Sequence, residues 1–97
     1  MLARRSLGLG WNNPARGMPR SRSSPRYARL GQLLVEARLA SGLTQAGLAE
    51  RLRRPQSYVS KYESGERRLD VVEFLEVTDG IGCRVEDVIA ALLAAEA

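Results

Sequence analysis

Histidine is absent from this 97-residue chain, and cysteine occurs once, as Cys83. Without histidine the usual zinc ligand sets cannot be assembled, and the commonest general base is missing. A lone cysteine cannot close an internal disulfide, which points to a reducing, cytoplasmic setting. No serine, cysteine or lysine has an evident activating partner, so the expectation is a non-enzyme with neither metal nor cofactor. Long apolar runs are also missing. A secretory signal needs about 7–15 continuous apolar residues, and Leu7-Gly8-Leu9-Gly10-Trp11 is too short and too rich in glycine. Nothing approaches the ~20 apolar residues of a spanning helix, so no membrane partner is expected.

Acidic residues are lacking from one end only. Residues 1–29 carry seven arginines (Arg4, Arg5, Arg16, Arg20, Arg22, Arg26 and Arg29) and no acid, while the remaining eight Lys+Arg face all eleven Asp+Glu. Within that remainder Arg51, Arg53, Arg54, Lys61, Arg67 and Arg68 cluster. Asp70, Glu73, Glu76, Asp79, Glu86, Asp87 and Glu96 crowd the end. One basic face and one acidic end follow, a division more informative than the net charge of +4.

What is present is mainly helical. Residues 1–24 show no sustained period and are rich in Arg, Ser, Gly and Pro, which predicts a disordered arm. An organellar transit peptide has a similar composition, but a solvated arm is the plainer reading. Residues 25–97 suffice for one small domain with a modest core. Ser24-Pro25 reads as a cap and first helical position, followed by Tyr27, Leu30, Leu33, Leu34 and Ala37 at helical spacing, for a helix over about 25–41. Thr44 caps a second helix over about 45–52, with Leu48, Ala49 and Leu52 inward. Pro55 opens a third over about 55–63, held by Val59 and Tyr62 and stopped by Ser64-Gly65. Asp70 and Glu73 form a capping pair for a fourth, whose face is Val71, Phe74, Leu75 and Thr78 and which Gly80 and Gly82 break. Val85, Val88, Ile89, Leu92 and Leu93 line a fifth, from about 85 to 95.

The third helix carries an unusual outer face. Gln56, Ser57, Ser60 and Lys61 lie opposite its inward residues, and no acid appears before Glu63. Glutamine can bond adenine through two atoms, serine suits several bases and lysine suits guanine, so this is an inventory for reading a DNA major groove. A merely solvated helix face remains the alternative, although such faces more often carry Glu–Lys pairs. Tyr58 either reaches a phosphate through its hydroxyl or covers the turn between the second and third helices.

L-T-Q-A-G-L-A-E-R-L (43–52) followed by P-Q-S-Y-V-S-K-Y-E-S-G (55–65) resembles the helix-turn-helix of Cro and phage-repressor-type regulators, the XRE family. The similarity spans about residues 28–93. It implies a compact, all-α, five-helix, lambda-repressor-like domain that binds duplex DNA at a near-palindromic operator as a homodimer and regulates transcription, as a repressor. It also implies that Gln45 bonds a phosphate, that Ala49 and Val59 pack where the motif helices cross, and that Pro55, Gln56, Ser57, Ser60 and Lys61 approach base edges. Arg67 and Arg68 would touch phosphates beside the groove, and Arg38 and Glu63 would form a structural ion pair. Two other readings stay open: an antitoxin that also grips a toxin, and a helical adaptor that does not read DNA. The chain departs from the family at three places. Arg53 stands where a left-handed glycine is usual, Gly47 where Glu is common, and Arg84 where a Ser or Asp cap is expected.

Overall fold

A computed structural model describes residues 24–94; the expected arm lies, except for Ser24, outside the described residues. Five helices follow in order: α1 (Pro25–Ala40), α2 (Gln45–Leu52), α3 (Gln56–Ser64), α4 (Val71–Ile81) and α5 (Val85–Ala94). Among the described residues there is no strand, and no helix is long and apolar enough to cross a membrane. α2 packs on α3 and α4, and α1 packs on α3, α4 and α5. The core sits where these faces meet. Leu34, Leu48, Val59, Tyr62 and Val77 are essentially sealed from solvent, and burying such a side chain contributes about 1.5–3 kcal/mol.

Local sequence accounts for most helix ends. The Ser24 hydroxyl accepts from the Tyr27 N–H at 3.1 Å, and the Thr44 hydroxyl accepts from the Gly47 N–H at 2.9 Å. These caps satisfy donors that the first helical turn leaves without partners. Asp70 and Glu73 form the reciprocal box at the start of α4: the Asp70 carboxylate accepts from the Glu73 N–H at 2.8 Å, and Glu73 accepts from the Asp70 N–H at 3.0 Å.

Four expectations need correction. Pro55 is the cap of α3, not its first helical residue; its ψ of 154° is extended, and it offers no side-chain acceptor. Gly80 does not end α4. A β-carbon there would lie 2.8 Å from Leu52 Cδ2 and 3.1 Å from Leu48 Cδ1, so the glycine lets α4 approach α2 closely. The chain turns out of the helix at Gly82, at φ 91°. The inward face of α4 is Phe74, Val77, Thr78 and Ile81, while Val71 and Leu75 are exposed. On α5, Val88, Ala91 and Leu92 face the core, and Ile89 and Leu93 are exposed. In both helices a continuous apolar spacing is wider than the surface the small core can cover.

Arg53 caps α2 in the left-handed conformation (φ 59°, ψ 43°), alone among the described non-glycine residues in having positive φ. Its N–H donates to the Glu50 carbonyl, and the Arg54 N–H donates to the Ala49 carbonyl at 3.0 Å. Those bonds set the turn, and the β-carbon strains it by about 1–2 kcal/mol. Arg53→Gly is therefore expected to stabilise the domain by about 0.5–1 kcal/mol, after allowing for glycine's greater freedom when unfolded. Thermal unfolding should show a midpoint about 2–8 °C higher; an unchanged or lower midpoint would mean that the arginine side chain makes compensating contacts.

Candidate nucleic-acid interface

The α2–turn–α3 unit presents one face of α3 to solvent. Val59 and Tyr62 are buried, whereas Gln56, Ser57 and Lys61 are exposed and Ser60 is half-buried. The four residues picked out for base contact thus occupy one side of a helix anchored by the other. The lone acid of α3, Glu63, contributes no free charge to this face, because its side chain is 6% exposed and pairs with Arg38.

That pair is the hub of the site. Arg38 Nε donates to Glu63 Oε2 at 2.8 Å, Arg38 Nη2 donates to Glu63 Oε1 at 3.1 Å, and Arg38 Nη1 donates to the Leu43 carbonyl at 2.9 Å. The guanidinium's pKa is raised, chiefly by its hydrogen bond to Glu63. α1, the loop before α2 and the end of α3 are joined through one side chain.

From this hub a polar chain leads to the outer face. Gln45 Nε2 donates to Glu63 Oε1 at 2.8 Å, and Gln56 Nε2 donates to Gln45 Oε1 at 3.3 Å. An ionised carboxylate can only accept, so Glu63 draws the Gln45 amide nitrogen inward and turns its oxygen toward Gln56. Gln56 is left with its own oxygen and one N–H, an acceptor and a donor side by side. Adenine offers the complementary pair on its major-groove edge.

The loop after α3 holds the two cations expected beside the groove, Arg67 and Arg68. Arg67 is clamped: its guanidinium donates to both Glu73 oxygens, at 2.8 and 3.2 Å, and to the Arg68 carbonyl at 2.9 Å. The hydrogen bond from Arg67, followed by that from the Asp70 N–H, brings the Glu73 carboxyl down to about 2. Arg68 is exposed, with its guanidinium 4.7 Å from the centre of the Tyr27 ring. Tyr27 pins the loop from α1: its hydroxyl donates to the Arg67 carbonyl at 3.2 Å and accepts from the Leu69 N–H at 2.9 Å.

Tyr58 is where the structure decides between two readings. The residue is 7% exposed and its hydroxyl is buried with no hydrogen-bond partner, so it is not placed to reach a phosphate. Instead its ring lies under the guanidinium groups of Arg54 and Arg67, at 4.4 and 4.7 Å, and meets Tyr62 edge to face at 5.7 Å. Burial pushes the pKa values of both tyrosines up. Tyr58 covers the turn and supports two cations.

The helix-turn-helix domain family model matches residues 29–92. An XRE-family like protein from Pseudomonas syringae pv. tomato str. DC3000 shares 53% identity and superposes with a TM-score of 0.69, over 72% of this chain and 85% of that one. The chain belongs to the XRE family. Its family and fold are those of DNA-binding transcription regulators. The clp gene regulator ClgR from C. glutamicum is similar at 30% identity and a TM-score of 0.65, over 74% of this chain and 92% of that one. The restriction-modification controller protein C.Esp1396I, solved as a tetramer in complex with its natural 35 base-pair operator, shares the fold at 21% identity and a TM-score of 0.69, over 74% of this chain and 95% of that one. No curated protein matches.

In this XRE domain several supporting residues escape a reading of the sequence alone. Tyr27 looks like an ordinary apolar position of α1, and nothing in its spacing announces that its hydroxyl bridges to residues 67 and 69. Arg54, which bonds Glu76 at 3.5 Å and lies over Tyr58, reads as one more turn cation. Glu73 is legible as a capping residue, but its second role as the partner of Arg67 depends on how the loop folds back.

Proposed function

We propose that the chain is a cytoplasmic, homodimeric transcriptional repressor that reads duplex DNA by placing α3 in the major groove. Gln56, Ser57, Ser60 and Lys61 meet base edges, with Gln56 directed to adenine. Gln45, Arg67 and Arg68 bond phosphates, which fix register without reading sequence. The observation that carries this reading is the hydrogen-bonded chain Arg38–Glu63–Gln45–Gln56, which runs from a buried ion pair to an exposed amide. A face that served only solubility has no use for an amide oriented in this way. The operator complex of the controller protein C.Esp1396I supports the DNA partner.

Self-association is supported by the exposed apolar side chains of α4 and α5, among them Val72, Leu75, Ile89 and Leu93. Two recognition helices about 34–36 Å apart would then meet a near-palindromic operator. Repression follows from occupying a promoter.

Selection from a random duplex pool tests the reading directly, and a near-palindromic sequence is expected to be enriched. Gln56→Ala and Lys61→Ala should each reduce preference for that sequence by about 1–3 kcal/mol at the contacted base. Arg68→Ala should instead weaken all duplexes alike and lower the salt slope by about one. A pool that yields no enriched sequence would sink the proposal.

A further inference from the structure

Arg54 closes the turn between α2 and α3, and the reading of α3 gives it no task. Its guanidinium lies over the Tyr58 ring at 4.4 Å, beside that of Arg67 at 4.7 Å. A guanidinium stacked on a ring keeps its N–H donors in its own plane, where a partner can still meet them. The partner at hand is weak. Arg54 Nη2 stands 3.5 Å from Glu76 Oε1, longer than a well-formed N–H···O bond, and the two side chains are 36% and 52% exposed. Arg67 differs, since it donates to both Glu73 oxygens at 2.8 and 3.2 Å and to the Arg68 carbonyl at 2.9 Å. Arg54 is thus positioned by the ring and only loosely engaged by charge.

The same side chain borders the reading face. Arg54, Ser57, Tyr58, Lys61 and Arg67 line an open cleft of about 500 Å³, with Glu66 the one acid at its rim. Ser57 and Lys61 are exposed and belong to the face assigned to base edges, so a duplex that meets them brings its backbone past Arg54. The neighbouring turn cations point elsewhere. Arg51 donates to the Gly80 carbonyl at 2.9 Å, and Arg51 and Arg53 border a separate cleft against α4 with Asp79.

We propose that Arg54 bonds a phosphate of the duplex backbone in the cleft beside Ser57 and Lys61, exchanging Glu76 for that phosphate when DNA binds. The proposal rests on the duplex reading above. An exposed ion pair contributes little, and the Glu76 carboxylate, half in water already, stays hydrated when the arginine leaves. Neutralising a phosphate also releases a condensed counterion, a gain that Glu76 does not offer.

Three single variants of the full chain test it: R54Q, R53Q and E76Q. Affinity is measured from about 50 to 200 mM salt, for the sequence enriched by selection and for a duplex of arbitrary sequence. In R54Q the slope of log affinity against log salt should fall in magnitude by about 0.9, the contribution of one neutralised phosphate, so that the parent's advantage shrinks about 3.5-fold across that range, equally on both duplexes. R53Q removes the same charge from the other cleft and should keep the parent's slope. E76Q breaks the same ion pair but leaves Arg54 charged, and should bind no more weakly than the parent. An unchanged slope in R54Q overturns the proposal. So does an equal fall in R53Q, which would make the effect one of net charge, and so does an equal loss in E76Q, which would make the Arg54–Glu76 pair a structural brace. A loss confined to the enriched sequence also overturns it, because Arg54 would then be reading a base. A parent that binds neither duplex removes the duplex reading and this contact with it, an outcome that the parent's own salt series separates from a failure of R54Q alone.

Discussion

Glu63→Ala is expected to destabilise the domain by about 3–5 kcal/mol, which lowers the thermal midpoint by about 12–40 °C. Side-chain exposures of 9% for Arg38 and 6% for Glu63 place both charges away from water. Removal of the carboxylate leaves a buried guanidinium that keeps its hydrogen bond to the neutral Leu43 carbonyl but has lost its counter-charge, and the penalty of an uncompensated buried charge is the source of the loss. Replacing both partners with apolar residues, Arg38→Met with Glu63→Leu, should recover most of the stability, because a buried pair gains little over well-packed hydrocarbon. The double variant separates folding from reading. With Glu63 gone, nothing holds the Gln45 nitrogen inward, so Gln56 is released and discrimination at its base pair should fall while the midpoint recovers. A single variant that melts within a few degrees of the parent would show the pair to be hydrated and of small value.

Tyr27→Ala should cost about 2–4 kcal/mol and Tyr27→Phe about 1–3 kcal/mol, read as shifts in the urea midpoint at constant slope. The phenylalanine variant keeps the ring under Arg68 and removes only the hydroxyl, so its cost comes from the part-buried Leu69 N–H and the Arg67 carbonyl. Both variants free the loop that carries Arg67 and Arg68, and affinity for every duplex should fall together, with base preference unchanged. A Tyr27→Phe protein as stable as the parent would mean that solvent replaces both bonds and that the loop is held by the Arg67–Glu73 clamp alone.

Helix number and order were legible in the sequence because caps and spacing agree locally. Ser24, Thr44 and the Asp70–Glu73 box each mark a start, and Gly42, Gly65 and Gly82 mark exits with positive φ. Faces were less legible where apolar residues exceed what the core can cover. On α4, Val71 and Leu75 share a side with Phe74 and Thr78, and only contact with α1 and α2 selects which part of that arc is buried. Tyr58 shows the same limit for the site. An exposed hydroxyl and a buried cover are both compatible with its position, and the choice falls to the guanidinium groups that close over it.

By itself, then, the sequence determined an all-α helix-turn-helix of the XRE family whose third helix turns a polar, acid-poor face outward, because capping and helical periodicity act over a few residues and the motif is contiguous. The tertiary structure alone decided how that face is supported. Arg38 lies 25 positions from Glu63, Gln45 lies 18 from Glu63, and Tyr27 lies 40 from Arg67. Bonds over such separations exist only once helices have packed, since it is burial that excludes water from them and the crossing of α1, α2 and α3 that brings their ends within hydrogen-bonding distance.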